Sequence, residues 1–281
     1  MHEDDLIPAG TNRSEGCVSR GRDFGTDGFA GLLRREAWLV GTVLSSPDPV
    51  LAERVAQSFD FVWIDLEHSA LSVGDAQVLA IAVKAGGASA LVRLPRSDSE
   101  LLAAILDAGV DGIVAPKVST SAQAAALVCA TRYPPAGSRG FAPRRASRGR
   151  ASVDVTIGDA AKVACIVQIE TREALENLDA IAATDGVDGL VVGTADLSMD
   201  LGLPLQLATT ALESAVNAAG EAARRQHKPW GVAAGARPEW VTGLRAAGAS
   251  MLVFSSDARL YSEAVEQCAL RLRATAAEAP A

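Results

Sequence analysis

Four short segments of this 281-residue chain set charged groups directly against apolar, β-branched runs. They are Asp65-Leu66-Glu67-His68, Val92-Arg93-Leu94-Pro95, Val167-Gln168-Ile169-Glu170 and Gly193-Thr194-Ala195-Asp196-Leu197-Ser198. A lone ion in such a place is costly to desolvate, so pairing or a metal is required. Glu170 and Asp196 offer hard oxygen ligands for Mg²⁺, Mn²⁺ or a similar divalent ion, with waters and substrate oxygens completing the shell. The competing reading is that each acid caps the helix that follows. His68 sits in a run of acids, where a carboxylate such as Asp65 would fix its tautomer and make it an acid/base group; a structural histidine is the alternative. Arg93 presents a planar fork of donors suited to a carboxylate or an oxyanion, or to an internal ion pair.

Composition narrows the chemistry. The formal charge of -8 argues against nonspecific nucleic-acid binding, which needs clustered cations. Hydrophobic residues at 49% and charged residues at 21% allow a large core. The four cysteines, Cys17, Cys129, Cys165 and Cys268, are scattered and form no CxxC pair, which reads as free thiols in a reducing cytoplasm. No apolar run approaches the roughly 20 residues of a membrane span, and the polar N-terminus has no signal-peptide core. A soluble cytoplasmic protein is expected.

The elements that must position these residues follow from periodicity. Residues 1–26 lack apolar periodicity and read as a flexible tail; residues 27–281 read as one domain. Eight apolar runs predict strands: Trp38–Ser45, Phe61–Asp65, Ala88–Arg93, Gly112–Pro116, Lys162–Ile169, Gly189–Gly193, Pro229–Val232 and Ser250–Ser255. Amphipathic stretches at Pro49–Ser58, Ser99–Ala108, Ser121–Arg132 and Arg172–Ala183 predict intervening helices. Alternating strands and helices imply a parallel sheet, and continuous apolar strands imply burial on both faces. Eight units suit a closed (β/α)₈ barrel; an open doubly wound sheet is second, since no GxGxxG loop follows an early strand. In a barrel the charged segments all fall at the C-terminal strand ends, where chemistry is done. The long connection from Tyr133 to about Ala160, with Arg139, Arg144, Arg145, Arg148 and Arg150, reads as a solvated loop, a subunit contact or an anion-attracting lid.

These segments, together with Arg132-Tyr133-Pro134-Pro135-Ala136-Gly137-Ser138-Arg139-Gly140, occur in the order and spacing of a known family. From about Gly41 to Leu260 the chain resembles the HpcH/HpaI aldolases, metal-dependent pyruvate aldolases that cleave or form 4-hydroxy-2-oxo acids. The resemblance implies a divalent ion (Mg²⁺, Mn²⁺ or Co²⁺) on Glu170 and Asp196, chelated by pyruvate or a related 2-oxo acid, with an aldehyde as second substrate. It implies that Arg93 steadies the enolate oxygen and that His68, supported by Asp65, moves the proton of the aldol hydroxyl. Gln168, Gly193, Thr194 and Ala195 would seat the 2-oxo acid. Asp107 matches a family aspartate near the subunit boundary that is linked to the active site. A homohexamer built from dimers, with a C-terminal helix from Asp257 onward packed on a partner, is also implied; nucleic-acid and membrane partners are not.

The chain departs from the family at three places. Gly41-Thr42-Val43-Leu44 lacks the aromatic residue usual after the first-strand glycine, Lys117 stands where many members have Met, and the stretch from Phe141 to Arg150 is unusually rich in Arg. The first and third leave the enolate half of the chemistry alone and touch the region facing the acceptor. Three alternatives stay open: a citrate-lyase-like or citrate-synthase-like enzyme using a larger acid or a thioester, a biosynthetic aldolase with an unusual acceptor, and a non-enzymatic binding barrel. Lys117 also offers a Schiff-base route, which the metal ligands make unnecessary.

Overall fold

The structure is a computed structural model describing residues 28–35, 38–147, 149, 152–206, 209–235 and 238–278. The expected tail, with Cys17, and the arginines at 148 and 150 lie outside the described residues. Eight parallel strands close in sequence order into one barrel: β1 Leu39–Leu44, β2 Phe61–Asp65, β3 Ser89–Arg93, β4 Gly112–Ala115, β5 Ala164–Ile169, β6 Gly189–Gly193, β7 Trp230–Ala234 and β8 Met251–Ser256. The helices are α1 Gly28–Arg35, α2 Pro49–Ala56, α3 Val73–Ala85, α4 Leu102–Asp107, α5 Ser121–Thr131, α6 Val153–Ala160, α7 Arg172–Glu176, α8 Leu178–Ala182, α9 Thr194–Asp200, α10 Thr210–Arg225, α11 Pro238–Ala246 and α12 Asp257–Glu278. The (β/α)₈ expectation holds, with strand ends within about two residues of those read from the sequence, as boundary assignments allow.

Strand alternation sorts the core into two shells. Phe61, Trp63, Leu91, Val114, Ile166, Val191, Met251 and Val253 form an inner cluster. Val62, Ile64, Val92, Ile113, Val167, Val192 and Leu252 join an outer cluster with the surrounding helices. Gly41 belongs to the crowded inner shell, where a Cβ would come within 2.5 Å of the Phe61 ring. Parity matters for the site, because Asp65, Arg93, Gln168 and Gly193 continue the inner rows.

Four elements differ from expectation. Helix α1 was not foreseen: Phe29, Leu32 and Leu33 join the inner cluster, and the rings of Phe29 and Phe61 stand 5.4 Å apart, so this helix plugs the N-terminal mouth. Its apolar set is too short to separate from a polar tail by periodicity. The predicted helix over Arg172–Ala183 breaks at Asn177, whose backbone leaves the helical region and whose amide donates to the Ser119 and Glu173 carbonyls at 3.0 Å each. The helix expected from Ser99 starts only at Leu102, and the long connection ends in α6, capped by Ser152. No described helix is long and apolar enough to cross a membrane, and the described cysteines Cys129, Cys165 and Cys268 are free thiols.

Because α1 seals the inner shell, Leu33→Ala should cost about 2–5 kcal/mol, the usual range for a fully buried leucine. Urea unfolding of the full chain measures this; a loss under about 1 kcal/mol would show that the plug is dispensable.

Candidate active site

The register of β2 on β3 places Asp65 opposite Arg93 at the C-terminal rim. Their side chains form a bidentate pair, with Nε donating to Oδ1 at 2.9 Å and Nη2 to Oδ2 at 2.7 Å. Both residues are buried. Burial acts to raise the Asp65 pKa, but the Arg93 bonds and charge, with N–H donors from Glu67 and His68, outweigh it and hold the carboxyl below its ordinary value. Arg93 is likewise raised: burial opposes its charge, and Asp65, Glu67 and Glu170 overcome that penalty. The internal ion pair weighed for Arg93 is therefore real, and its remaining edge still faces other acids, with Nη1 3.4 Å from Glu67 Oε2.

Here the structure corrects one expectation. Asp65 does not hold the His68 ring: its carboxylate is taken by Arg93, and its link to His68 is through the backbone N–H, at 3.4 Å. The acid beside the ring is Glu67, whose Oε2 lies 3.7 Å from Nε2. The ring is 53% exposed and opens toward solvent at the rim.

Glu170 follows β5 and is 1% exposed. Its Oε1 accepts the Lys117 backbone N–H at 2.8 Å, and its Oε2 accepts the Gln168 amide. This packing needs a glycine on the next strand, since a Cβ at Gly193 would lie 2.6 Å from Gln168 Nε2 and closer still to Glu170 Oε2. Asp196 lies in the first turn of α9, which starts directly at the end of β6. Burial first, then the charges of Asp196 and Glu67, push the Glu170 carboxyl up to about 7, against the Lys117 N–H and Arg93. Glu67 is also raised, by burial and by Asp196, although Arg93, His68 and Lys117 pull it down. Thr194 and Ala195 open α9 beside these acids, and the Thr194 hydroxyl donates to the Ala233 carbonyl at 3.0 Å.

Asp65, Arg93, Gln168, Glu170, Gly193 and Asp196 thus converge at one rim, with His68 at its edge. Glu67 is the site residue that sequence reasoning left without a role. Its signal was available: Asp65 and Glu67 share parity, so both turn inward. Asp107 is not brought to the rim. It ends α4 at the opposite, N-terminal end of the barrel, where Arg139 Nη2 donates to its Oδ1 at 2.6 Å. Arg139 is buried, stacks on Tyr133 with 4.6 Å from its guanidinium carbon to the ring centroid, and so is no solvated loop residue. The Arg145 and Ala146 N–H groups bond the Asp107 carbonyl at 3.2 Å each. Arg139, Arg145 and Ala146 therefore lie away from the rim of their own barrel, and none of these three serves as a lid there.

A hard dication fits this rim. Three carboxylates, Glu67, Glu170 and Asp196, act on one another against two cations, and the buried acceptors Glu67 Oε2 and Gln168 Oε1 have no hydrogen-bond partner. Unpaired buried acceptors and mutually repelling acids are what a cation relieves. Among the described residues no three of His, Cys, Asp and Glu form a complete metal cage. Side chains would supply part of the shell, leaving room for waters and substrate oxygens.

Comparison with known proteins agrees with this architecture. Residues 41–263 match the HpcH/HpaI aldolase/citrate lyase family. The chain belongs to that family. It is 35% identical over 245 residues to 2-keto-3-deoxy-L-rhamnonate aldolase of Klebsiella pneumoniae, covering 84% of this chain and 89% of that protein. It is 41% identical over 160 residues to hydroxypyruvate/pyruvate aldolase of Rhizorhabdus wittichii, a match spanning 57% of this chain and 63% of the relative's length. An HpcH/HpaI aldolase/citrate lyase family protein of Burkholderia cenocepacia superposes with a TM-score of 0.82 at 30% identity, covering 87% of this chain and 98% of that one.

The ionised Glu170 burdens the metal-free fold. Its folded pKa, about 7, lies above its ordinary 4.5, so the folded state loses stability as pH rises between those values. Glu170→Gln should therefore raise the thermal midpoint of chelator-treated protein by a few degrees at about pH 8, and the gain should vanish near pH 5, where the wild-type acid is protonated. Calorimetry at both pH values checks it; a pH-independent difference would contradict an origin in the burial of the ionised carboxylate and its repulsion by Asp196 and Glu67.

Proposed function

We propose that this family member is a carbon–carbon lyase that cleaves or forms 4-hydroxy-2-oxo acids, using a pyruvate-type 2-oxo acid and an aldehyde. The observation that carries the reading is the buried rim, where Glu170 and Asp196 stand together beside an arginine already oriented by Asp65. The aldolases among its relatives support it. The thioester alternative is weakened, because Arg139 and Arg145, two of the arginines that would meet coenzyme phosphates, pack around Asp107 at the far end of the barrel.

Glu170 and Asp196 would hold the divalent ion, Mg²⁺, Mn²⁺ or Co²⁺, which when bound supplies Lewis-acid polarisation of the 2-oxo acid. Gln168, Gly193, Thr194 and Ala195 seat that acid: Gln168 Oε1 lacks a hydrogen-bond partner, Gly193 lets Gln168 and Glu170 pack against β6, and α9 begins there. Arg93, its fork locked by Asp65, aims its remaining N–H edge at the oxygen where charge accumulates as the methyl carbon gives its proton to a water at the rim. A donor fixed before reaction stabilises the transition state more than the ground state. In synthesis the methyl carbon bonds to the aldehyde carbon, and the aldehyde oxygen takes the displaced electron pair and a proton. His68, at the solvent edge beside Glu67, delivers that proton directly or through water, and removes it in cleavage. Asp65 acts as a positioning residue through Arg93. Asp107 can serve turnover only in a neighbouring subunit, consistent with a homo-oligomer built from dimers. The exposed apolar residues of α12, including Tyr261 at 72% and Leu272 at 65%, would be covered by the partner.

Glu170→Ala or Asp196→Ala should abolish exchange of pyruvate methyl protons into deuterated water, followed by NMR in the presence of Mn²⁺ or Mg²⁺. Wild-type exchange that survives exhaustive chelation would remove the metal from the mechanism. His68→Ala should lower aldol turnover by ~10²-fold or more while leaving pyruvate affinity nearly intact. Equal losses in both would make His68 a binding residue.

A further inference from the structure

At the N-terminal end of the barrel, opposite the rim, lies a cavity of about 470 Å³. It is bounded by α1, α4, α6 and the starts of β3, β4 and β5. Phe29, Leu106, Val110 and Ala160 are buried and give it apolar walls. Tyr133 and Arg139, from the long connection, also line it. A water takes about 30 Å³ of liquid volume, so the space far exceeds one or two bridging waters. It falls within the roughly 300–1,000 Å³ range of small-molecule sites.

The polar groups of this cavity are of two kinds. Lys84 and Lys162 are answered locally. Lys84 Nζ lies 2.7 Å from Asp111 Oδ1 and donates to the Gly109 carbonyl at 2.7 Å, and Lys162 Nζ lies 3.0 Å from Asp159 Oδ1. Arg139 is answered only in part. Its side chain is 1% exposed, yet among the described residues its guanidinium makes a single hydrogen bond, Nη2 to Asp107 Oδ1 at 2.6 Å. Its Nε has no acceptor, and the hydroxyl of Tyr133, on whose ring it stacks, has no partner. Burial raises the Tyr133 phenol above its ordinary pKa, with Arg139 opposing and Asp107 adding, so the hydroxyl keeps its proton and can donate. A buried guanidinium with one acceptor and a buried hydroxyl with none carry a desolvation cost that an oxygen acceptor removes.

We propose that this cavity is a second ligand site, for a small monocarboxylate with a short apolar tail. The carboxylate accepts from Arg139 Nε and the Tyr133 hydroxyl, and the tail lies along Phe29, Leu106 and Val110. A carboxylate suits a guanidinium better than a neutral carbonyl does, because the charge-assisted bond is stronger and the fork geometry matches. The site is separate from the C-terminal rim and stands independently of the reaction carried out there.

The test uses the full-length, chelator-treated protein and straight-chain monocarboxylates from butanoate to hexanoate, each paired with the amide of the same length and titrated by calorimetry. One saturable site per chain should appear, with the acid bound about tenfold or more tighter than its amide at one length at least. Tyr133→Phe keeps the ring under Arg139 and removes only the hydroxyl; it should weaken the acid by about tenfold. Ala160→Leu fills the cavity from α6 and should abolish binding. Thermal melting checks that both variants fold, and Tyr133→Phe decides alone where Ala160→Leu does not. No saturable binding, equal binding of acid and amide, or binding untouched by Tyr133→Phe overturns the proposal. Binding that survives in folded Ala160→Leu lies elsewhere, the rim included, and overturns it as well.

Discussion

The structure turns on a surplus of negative charge at a buried to half-buried rim. Asp65, Glu67, Glu170 and Asp196 gather at one end of the barrel, and a single buried guanidinium, Arg93, answers them from inside. Asp65 and Arg93 neutralise each other through two short bonds, which leaves the other three acids to repel. Burial first, and then the charges of Asp196 and Glu67, raise the Glu170 carboxyl to about 7. A protein built only for stability would replace such acids with apolar or amide groups, since desolvated like charges oppose folding. Retaining them is intelligible when a cation completes the site.

The barrel makes this arrangement by parity and register rather than by any special loop. Inner positions of β2, β3 and β5 run from Phe61 through Trp63 to Asp65, from Leu91 to Arg93, and from Ile166 to Gln168, with Glu170 just past the end of β5. Each row begins apolar, within the shell sealed by α1, and becomes charged only at the rim. Hydrophobic filling below and charge above are thus set by the same two-residue alternation. Gly193 contributes by what it lacks, because the Gln168 amide and Glu170 carboxylate occupy the space its Cβ would need. The backbone of Lys117, left-handed at +53°, supplies the last constraint by donating to Glu170.

Much of this was legible in the sequence. Strands buried on both faces read as continuous apolar runs, so all eight could be placed, and a charge abutting such a run stands out against it. Pairings across the barrel were less accessible. The Asp65–Arg93 pair depends on the register of β2 against β3, and the neighbour rule alone, Asp65 near His68, named the wrong partner. Glu67 was overlooked because an acid in a polar run resembles surface; counting parity onward from Asp65 would have turned it inward. Asp107 and Arg139 lie 32 positions apart, and only the return of α4 and α5 to the same end of the barrel brings them together. Helix α1 escaped notice because its apolar face, though well defined, spans only eight residues next to a polar stretch, shorter than the window in which periodicity is read.

The two ends of the barrel therefore hold distinct electrostatic assemblies. At the C-terminal rim, acids outnumber their buried partner and the site calls for a cation and an anionic substrate together. At the N-terminal end, Arg139 is buried against Tyr133 and bonded to Asp107, yet its Nε and the Tyr133 hydroxyl lack hydrogen-bond partners. A family aspartate held so firmly, so far from its own rim, makes sense if it is presented outward from a rigid mount rather than inward to its own chemistry. The Arg139 and Tyr133 packing does for Asp107 what Asp65 does for Arg93: it fixes a charged group in advance, so that little reorganisation remains for whatever that group must bind.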